Sequence, residues 1–194
     1  MNTATLTEPK LSLHLFSVKE YNRLGELGIF HEDDKVELLE GRIVDKPPIG
    51  TEHAACVDRI VDIFAAKKMK KRIIVRAQNP IYLNERSEPQ PDITILRRRD
   101  DFYAKRHPTP GDIFLVIEIA DSSLEYDRSV KMPIYAKAGI QEVWLVNLLE
   151  KLVEVYQDPS PEGYGVIMKR RHDQALSPGS FPDIMLSVSE ILGL

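Results

Sequence analysis

The chain has 194 residues, 43% apolar and 29% charged, the balance of a soluble globular protein with enough length for one α/β domain and a full core. No apolar run approaches the ~20 residues that span a bilayer, and the opening MNTATLTEPK lacks the charged-then-apolar layout of a secretory signal. A net charge of −4 weighs against a protein that coats nucleic acid through bulk positive charge, and Cys56, the single cysteine, excludes an internal disulfide, so the cytoplasm is the expected compartment.

Residues 1–16 show no clear period and read as a loose arm, with 17–194 as one domain. Ser17 has the features of a helix N-cap, with Glu20 at capping-box spacing. Val18, Tyr21, Leu24 and Leu27 follow at helical spacing up to Gly28, a plausible stop. Val36–Leu39 and Arg42–Val44 read as two short strands around Gly41, ended by Pro47, Pro48 and Gly50. Thr51 to about Met69 carries the clearest helical stripe: Val57, Ile60, Val61 and Phe64. Cys56 and Ile63 widen that stripe, which makes Cys56 a core residue rather than a reactive thiol. Arg72–Arg76, Pro80–Leu83 and Asp92–Leu96 read as strands, with a polar turn over Glu85–Pro91 and a charged loop up to Gly111.

Ile113–Ile117 is a run of five apolar, mostly β-branched residues. It reads as a strand buried on both faces at the centre of a sheet. A polar connection follows, then a helix from about Ser129 to Ala138, with Pro133 tolerated in its first turn and Gly139 as its stop. Glu142–Asn147 is a second apolar strand. Leu152–Tyr156 and Tyr164–Lys169 form a hairpin around Pro159, Pro161 and Gly163, and Ser187–Leu194 makes a last short helix. Trp144 and Tyr135 read as core.

Three acidic positions stand out. Glu37 lies between apolar neighbours in VELLEG, Asp92 opens a strand directly after Pro91, and Glu118 closes the central strand. A carboxylate leaving a buried strand needs a partner, either a divalent cation or a Lys or Arg in an ion pair, because desolvating a lone charge is costly. Carboxylates at strand ends can converge on one sheet edge, and oxygen ligands of this kind suit Mg²⁺ or Mn²⁺. Lys131, early in the following helix, could orient or deprotonate the attacking water or offset charge on a phosphate. The plainer alternative is a set of surface carboxylates with a structural ion pair. Basic clusters at Lys67–Arg72, Arg97–Arg99 and Lys169–Arg171 read as solvated surface or as phosphate contacts. No CxxC pair, HExxH, P-loop or GxGxxG occurs, which argues against zinc, nucleoside triphosphate and Rossmann cofactor sites.

The succession VELLEG, PPIGTEH, QNPI, QPDI and EIADSSLEYDRSVKMPIYAKAGIQEVWLVN resembles the Uma-type putative restriction endonuclease family of the PD-(D/E)XK nuclease superfamily. The likeness runs from about Tyr21 to Glu190 and is most specific between Ile113 and Asn147. It implies a restriction-endonuclease-like α/β fold with a central mixed β-sheet flanked by helices, and Mg²⁺-dependent hydrolysis of phosphodiester bonds in DNA. By the resemblance, Asp92 and Glu118 are metal ligands, and Glu37 ligates the ion or holds a metal-bound water. The chain departs from the superfamily two residues past Glu118, where Ala120 stands in place of a lysine; Lys131 matches the lysine this family carries on the next helix. Gln78 could orient a ligand or phosphate, and His53 either touches substrate or merely caps its helix. Ser122, Ser123 and Asp127 could contact phosphate, with helix capping the favoured role. A homodimer would allow both strands to be cut. The rival readings are a catalytically inactive nuclease-like module that binds DNA or metal, and a structural or interaction protein whose acidic cluster is incidental.

Overall fold

A computed structural model of the chain describes residues 12–31, 33–66 and 72–194. Most of the arm therefore lies outside the described residues, as do Lys67, Lys68, Lys70 and Lys71 of the first basic cluster and the last turn expected of the Thr51 helix. Six strands form the central sheet in the order β3-β4-β5-β6-β7-β8: Ile73–Ala77, Ile93–Arg97, Ile113–Ala120, Glu142–Asn147, Leu152–Ser160 and Gly163–Arg171. Only the β5–β6 pair is parallel, so the sheet is mixed. A parallel pair needs a long crossover, and the helical run after β5 supplies it.

Both faces of the sheet are covered, which is why β5 reads as an almost unbroken apolar run. On one face Ile93, Leu115, Ile117 and Trp144 pack under helix α2 (Thr51–Ala66), through Val57, Ile60 and Phe64, and under α5 (Val188–Leu192). Cys56 is fully buried there. On the other face Val116, Ala120, Val143 and Leu145 pack under Met132, Ile134 and Tyr135. Among the described residues no helix is long and apolar enough to cross a membrane.

Helix α1 (Val18–Glu26) begins on Ser17 with the full capping box to Glu20. Strands β1 (Val36–Leu39) and β2 (Arg42–Asp45) form a separate hairpin, and β9 (Ala175–Leu176) pairs with β10 (Leu186–Ser187). The β1–β2 hairpin docks on the loop that leads into β4: Glu88 N donates to Leu38 O at 2.8 Å, and Gly41 N to Arg86 O at 2.7 Å. Phe16 N also donates to Gly41 O. Gly41 has φ 80°, and a Cβ there would sit 2.7 Å from Leu15 Cβ, so no other residue fits this crossing.

Four expectations change. Pro80–Leu83 is not a strand: Ile81 and Leu83 alternate inward as a strand would, but their N–H groups bond the loop carbonyls of Pro89 and Ser87. Pro159 lies inside β7 rather than in its turn, beyond Gln157, where pairing with β6 has ended and a missing N–H costs no ladder bond. Glu118 does not end its strand, since β5 continues to Ala120. The crossover helix starts near Leu124 rather than Ser129. It comprises α3 (Leu124–Tyr126), a π turn (Asp127–Lys131) and α4 (Met132–Lys137). Pro133 therefore sits well inside the helical run, and the π turn directly before it accommodates a residue that cannot donate an i→i−4 bond.

Arg128 anchors the π turn to β7. Its Nε donates to Glu154 Oε2 at 3.1 Å and its Nη2 to Oε1, and Tyr156 Oη donates to the same carboxylate at 2.7 Å. Arg128→Ala would leave Glu154 buried with only Tyr156 and Lys169 beside it. The expected loss is about 2 kcal/mol in urea unfolding, below the range for a fully buried pair because Arg128 is partly exposed. A variant as stable as the parent would show that the helix holds without this contact.

Candidate active site

The register of β4 against β5 builds the centre of the site. Ile93 pairs with Ile117, so Asp92 enters opposite Glu118. Asp92 N approaches Glu118 Oε2 at 3.4 Å, and Ile119 N donates to Asp92 Oδ2 at 2.9 Å. The Asp92 carboxylate is thus tied to the backbone of β5, and that of Glu118 faces the backbone of Asp92. Glu37 arrives on β1, where Gln90 N donates to its Oε2 at 3.0 Å. Because Gln90 lies two residues before Asp92, the loop that seats the hairpin also delivers Asp92.

Lys131 closes the cluster from the π turn. Its Nζ lies 3.2 Å from Glu118 Oε1, 3.3 Å from Glu37 Oε1 and 4.0 Å from Asp127 Oδ1. One turn on, Tyr135 Oη donates to Glu118 Oε1 at 2.5 Å. On the other side His53 Nε2 sits 2.9 Å from Asp92 Oδ2. All of these groups except Tyr135 line a pocket of about 300 Å³ between the β2–α2 connection and the start of the crossover helix.

Four buried carboxylates, Glu37, Asp92, Glu118 and Asp127, face one buried lysine, Lys131, and one histidine. The imbalance shapes the titration of Glu118, Asp127, Asp92 and His53. Burial pushes the Glu118 carboxyl well above the usual carboxylate range; Lys131 pulls it back, while Asp92, Asp127 and Glu37 push it further up. Asp127 is raised for the same first reason, burial. Burial also opposes the charges of Asp92 and His53, but their mutual hydrogen bond and attraction win: Asp92 is held below its ordinary value and His53 above its own. At Lys131, burial is outweighed by Glu118, Glu37 and the two aspartates, so the amine stays protonated. Burial, followed by the charges of Glu118 and Glu37, keeps the Tyr135 hydroxyl protonated.

The structure brings Asp92, Glu118, Glu37, Lys131 and His53 to one pocket. His53 is held against Asp92 rather than spent as a helix cap. Gln78 lies outside this pocket: it is exposed, with φ 53°, and its backbone N donates to Asp92 O at 2.9 Å. Ser123 makes no side-chain cap; its Oγ donates to Asp127 Oδ2 at 2.7 Å, and Asp127 is itself buried. Lys131 is not near the helix start, so no N-terminal dipole acts on its amine. Tyr135 is core, yet its hydroxyl belongs to the site. Its i+4 spacing from Lys131 is the sequence signal that could have found it.

The model of the Uma2 family, described as a putative restriction endonuclease, matches residues 18–189, and the chain belongs to that family. The crystal structure of a putative nuclease of the DUF820 group from Anabaena variabilis ATCC 29413 is similar over 88% of this chain and 97% of that one. The TM-score is 0.67 at 20% sequence identity, a likeness of fold: a six-stranded mixed sheet with helices, of the nuclease kind. A search of the curated proteins found no match. Family and fold together support nuclease function in general, and restriction-endonuclease-like families generally use divalent metal ions.

The residues present fit such an ion in charge and donor type. The pocket holds more buried carboxylates than cations, and its donors are hard oxygens. Among the described residues no three Asp, Glu, His or Cys side chains already converge as a ready ion cage. Mg²⁺ does not require one, since it commonly takes one or two protein carboxylates and keeps water and substrate phosphate for the rest.

Lys131→Ala would leave Glu37 and Glu118 buried without their cation, at an expected cost of about 3–5 kcal/mol in urea unfolding. Adding Glu37→Gln should recover part of that loss, because an amide needs no counter-charge. Unchanged stability in Lys131→Ala would mean that the ammonium does not hold the cluster together.

Proposed function

We propose that this protein is a divalent-metal-dependent endonuclease that hydrolyses phosphodiester bonds in DNA, with residues 17–194 acting as one nuclease domain. The observation that carries the reading is Lys131, which meets Glu118 and Glu37 in the pocket that Asp92 lines. Asp92 and Glu118 would hold Mg²⁺ or Mn²⁺, with Glu37 assisting. The bound ion supplies Lewis-acid polarisation of the phosphate and a lower pKa for attacking water. His53 keeps Asp92 ionised and aimed, and Tyr135 and Lys131 fix the position of Glu118. Lys131, held protonated by its neighbours, acts as a fixed positive charge against the charge that develops on the phosphate rather than as a general base. A homodimer would hold two such sites.

One observation favours a second reading. Ala120, where the superfamily carries its lysine, is fully buried in the core cluster with Leu124, Met132 and Tyr135. A lysine there would have to displace that packing. If Lys131 does not replace it in function, the chain is a DNA- or metal-binding module without catalysis.

A plasmid-nicking assay with Mg²⁺ and EDTA arms tests both. Nicking in Mg²⁺ that EDTA stops supports the enzyme; metal-dependent DNA binding with no cleavage supports the binding module. Asp92→Asn and Glu118→Gln, which keep shape and remove charge, should each lower cleavage by about a hundredfold or more. Full activity in either would remove that residue from the mechanism.

A further inference from the structure

The acidic groups lie at the bottom of the pocket, not on a face. Glu37 is 1% exposed, Glu118 2%, Lys131 5% and Asp92 6%. At about 300 Å³, the pocket is at the low end for a small-molecule site. Much of its wall is apolar: Pro48 and Ile49 of the β2–α2 connection, Ile119 of β5, and Tyr126. Two polar atoms of its lining residues are buried without a hydrogen-bond partner, Tyr126 Oη and His53 Nδ1. Orphaned donors and acceptors of this kind are costly unless a ligand or water satisfies them.

The lining is also poorly suited to a duplex. Asp45 and Asp121 are exposed in it, none of the described lining residues is an arginine, and the amine of Lys46 is engaged by Gln90 O at 2.8 Å. Arg97, Arg98 and Arg99 lie at the opposite end of β4 from Asp92, ~17 Å away at the rise of a strand. Arg97 and Arg98 stack there on Phe114 and Phe102, and Arg99 pairs with Asp101. Duplex DNA carries a charge every ~1.7 Å of its axis and depends on basic side chains for affinity. The lining offers no row of such contacts to a rigid duplex, whereas a flexible single strand can enter the recess at one nucleotide and meet basic side chains elsewhere.

We infer that the pocket receives one unpaired nucleotide, so that the substrate is single-stranded or locally opened DNA rather than an intact duplex. The inference rests on the nuclease reading of the same site and adds its substrate class. A base taken out of its stack offers an apolar face to Pro48, Ile49 and Ile119, and a shift of the Tyr126 ring would uncover its buried hydroxyl for a polar edge of the base. Its phosphodiester then reaches the acidic floor, where a paired base would hold it outside.

The test compares a fluorescein-labelled single strand with the same strand fully paired in a blunt duplex. Binding is read by anisotropy in Ca²⁺, and cleavage in Mg²⁺ and Mn²⁺. The expected result is binding and cleavage of the single strand at least tenfold better than of the duplex. Tyr126→Phe should weaken single-strand binding several-fold. Gly50→Leu should weaken it about tenfold, because Gly50 borders the pocket and a Cβ added there has no atom within 4 Å. Equal binding and cutting of both DNAs would overturn the inference while leaving the nuclease reading intact, as would single-strand binding that neither substitution changes. Strong preference for the single strand without cleavage in either metal would sink the nuclease reading and leave the pocket assignment standing.

Discussion

The contact that the rest of the site depends on is the buried ammonium of Lys131 between Glu37 and Glu118. Three elements meet there: the β1 hairpin, distant in sequence, the central strand β5 and the π turn of the crossover helix. Without a positive charge at their junction, burying these carboxylates would be prohibitive. With it, the same junction stores an excess of negative charge that a second cation can satisfy. That structural demand alone is enough to hold the Lys131 ammonium firmly in place.

The surroundings are arranged to keep that junction rigid. Glu118 sits on a strand packed on both faces, and its carboxylate is fixed by Tyr135 as well as by Lys131. Asp92 is fixed by Ile119 N and His53. Glu37 is fixed by Gln90 N. Backbone donors from the sheet and its approach loop thus hold two of the three carboxylates, and Asp92 N approaches the third. Side chains on rigid elements supply the remaining contacts, so the fold itself sets the positions of the three carboxylates.

Much of this was legible in the sequence. The period-2 and period-3.6 patterns located β5, β6 and α2, and the capping box located α1, because those signals report burial, and burial is what the fold satisfies. Glu37, Asp92, Glu118 and Lys131 were found by their place beside apolar runs and by family likeness. What sequence could not show follows from packing. The Ile81 and Leu83 alternation mimics a strand whose N–H groups in fact bond a loop. Tyr135 reads as an ordinary core aromatic because its hydroxyl partner, Glu118, lies on another element. His53 reads as a helix-start residue because Asp92 lies 39 positions away in sequence. The π turn leaves no mark beyond Pro133, which alone suggested a helix start.

That π turn has a consequence for how the helix can change. An α-helix advances about 100° per residue, so one surplus residue rotates everything after it by about that angle relative to everything before. Here the surplus falls between Arg128, which grips β7, and Tyr135, which grips β5. The two grips face their separate strands only because of that offset in phase. Removing one residue between Asp127 and Lys131 would leave a more regular helix that could hold either strand but not both. An insertion or deletion at this point would therefore cost one grip or the other, whatever side chains the segment carries.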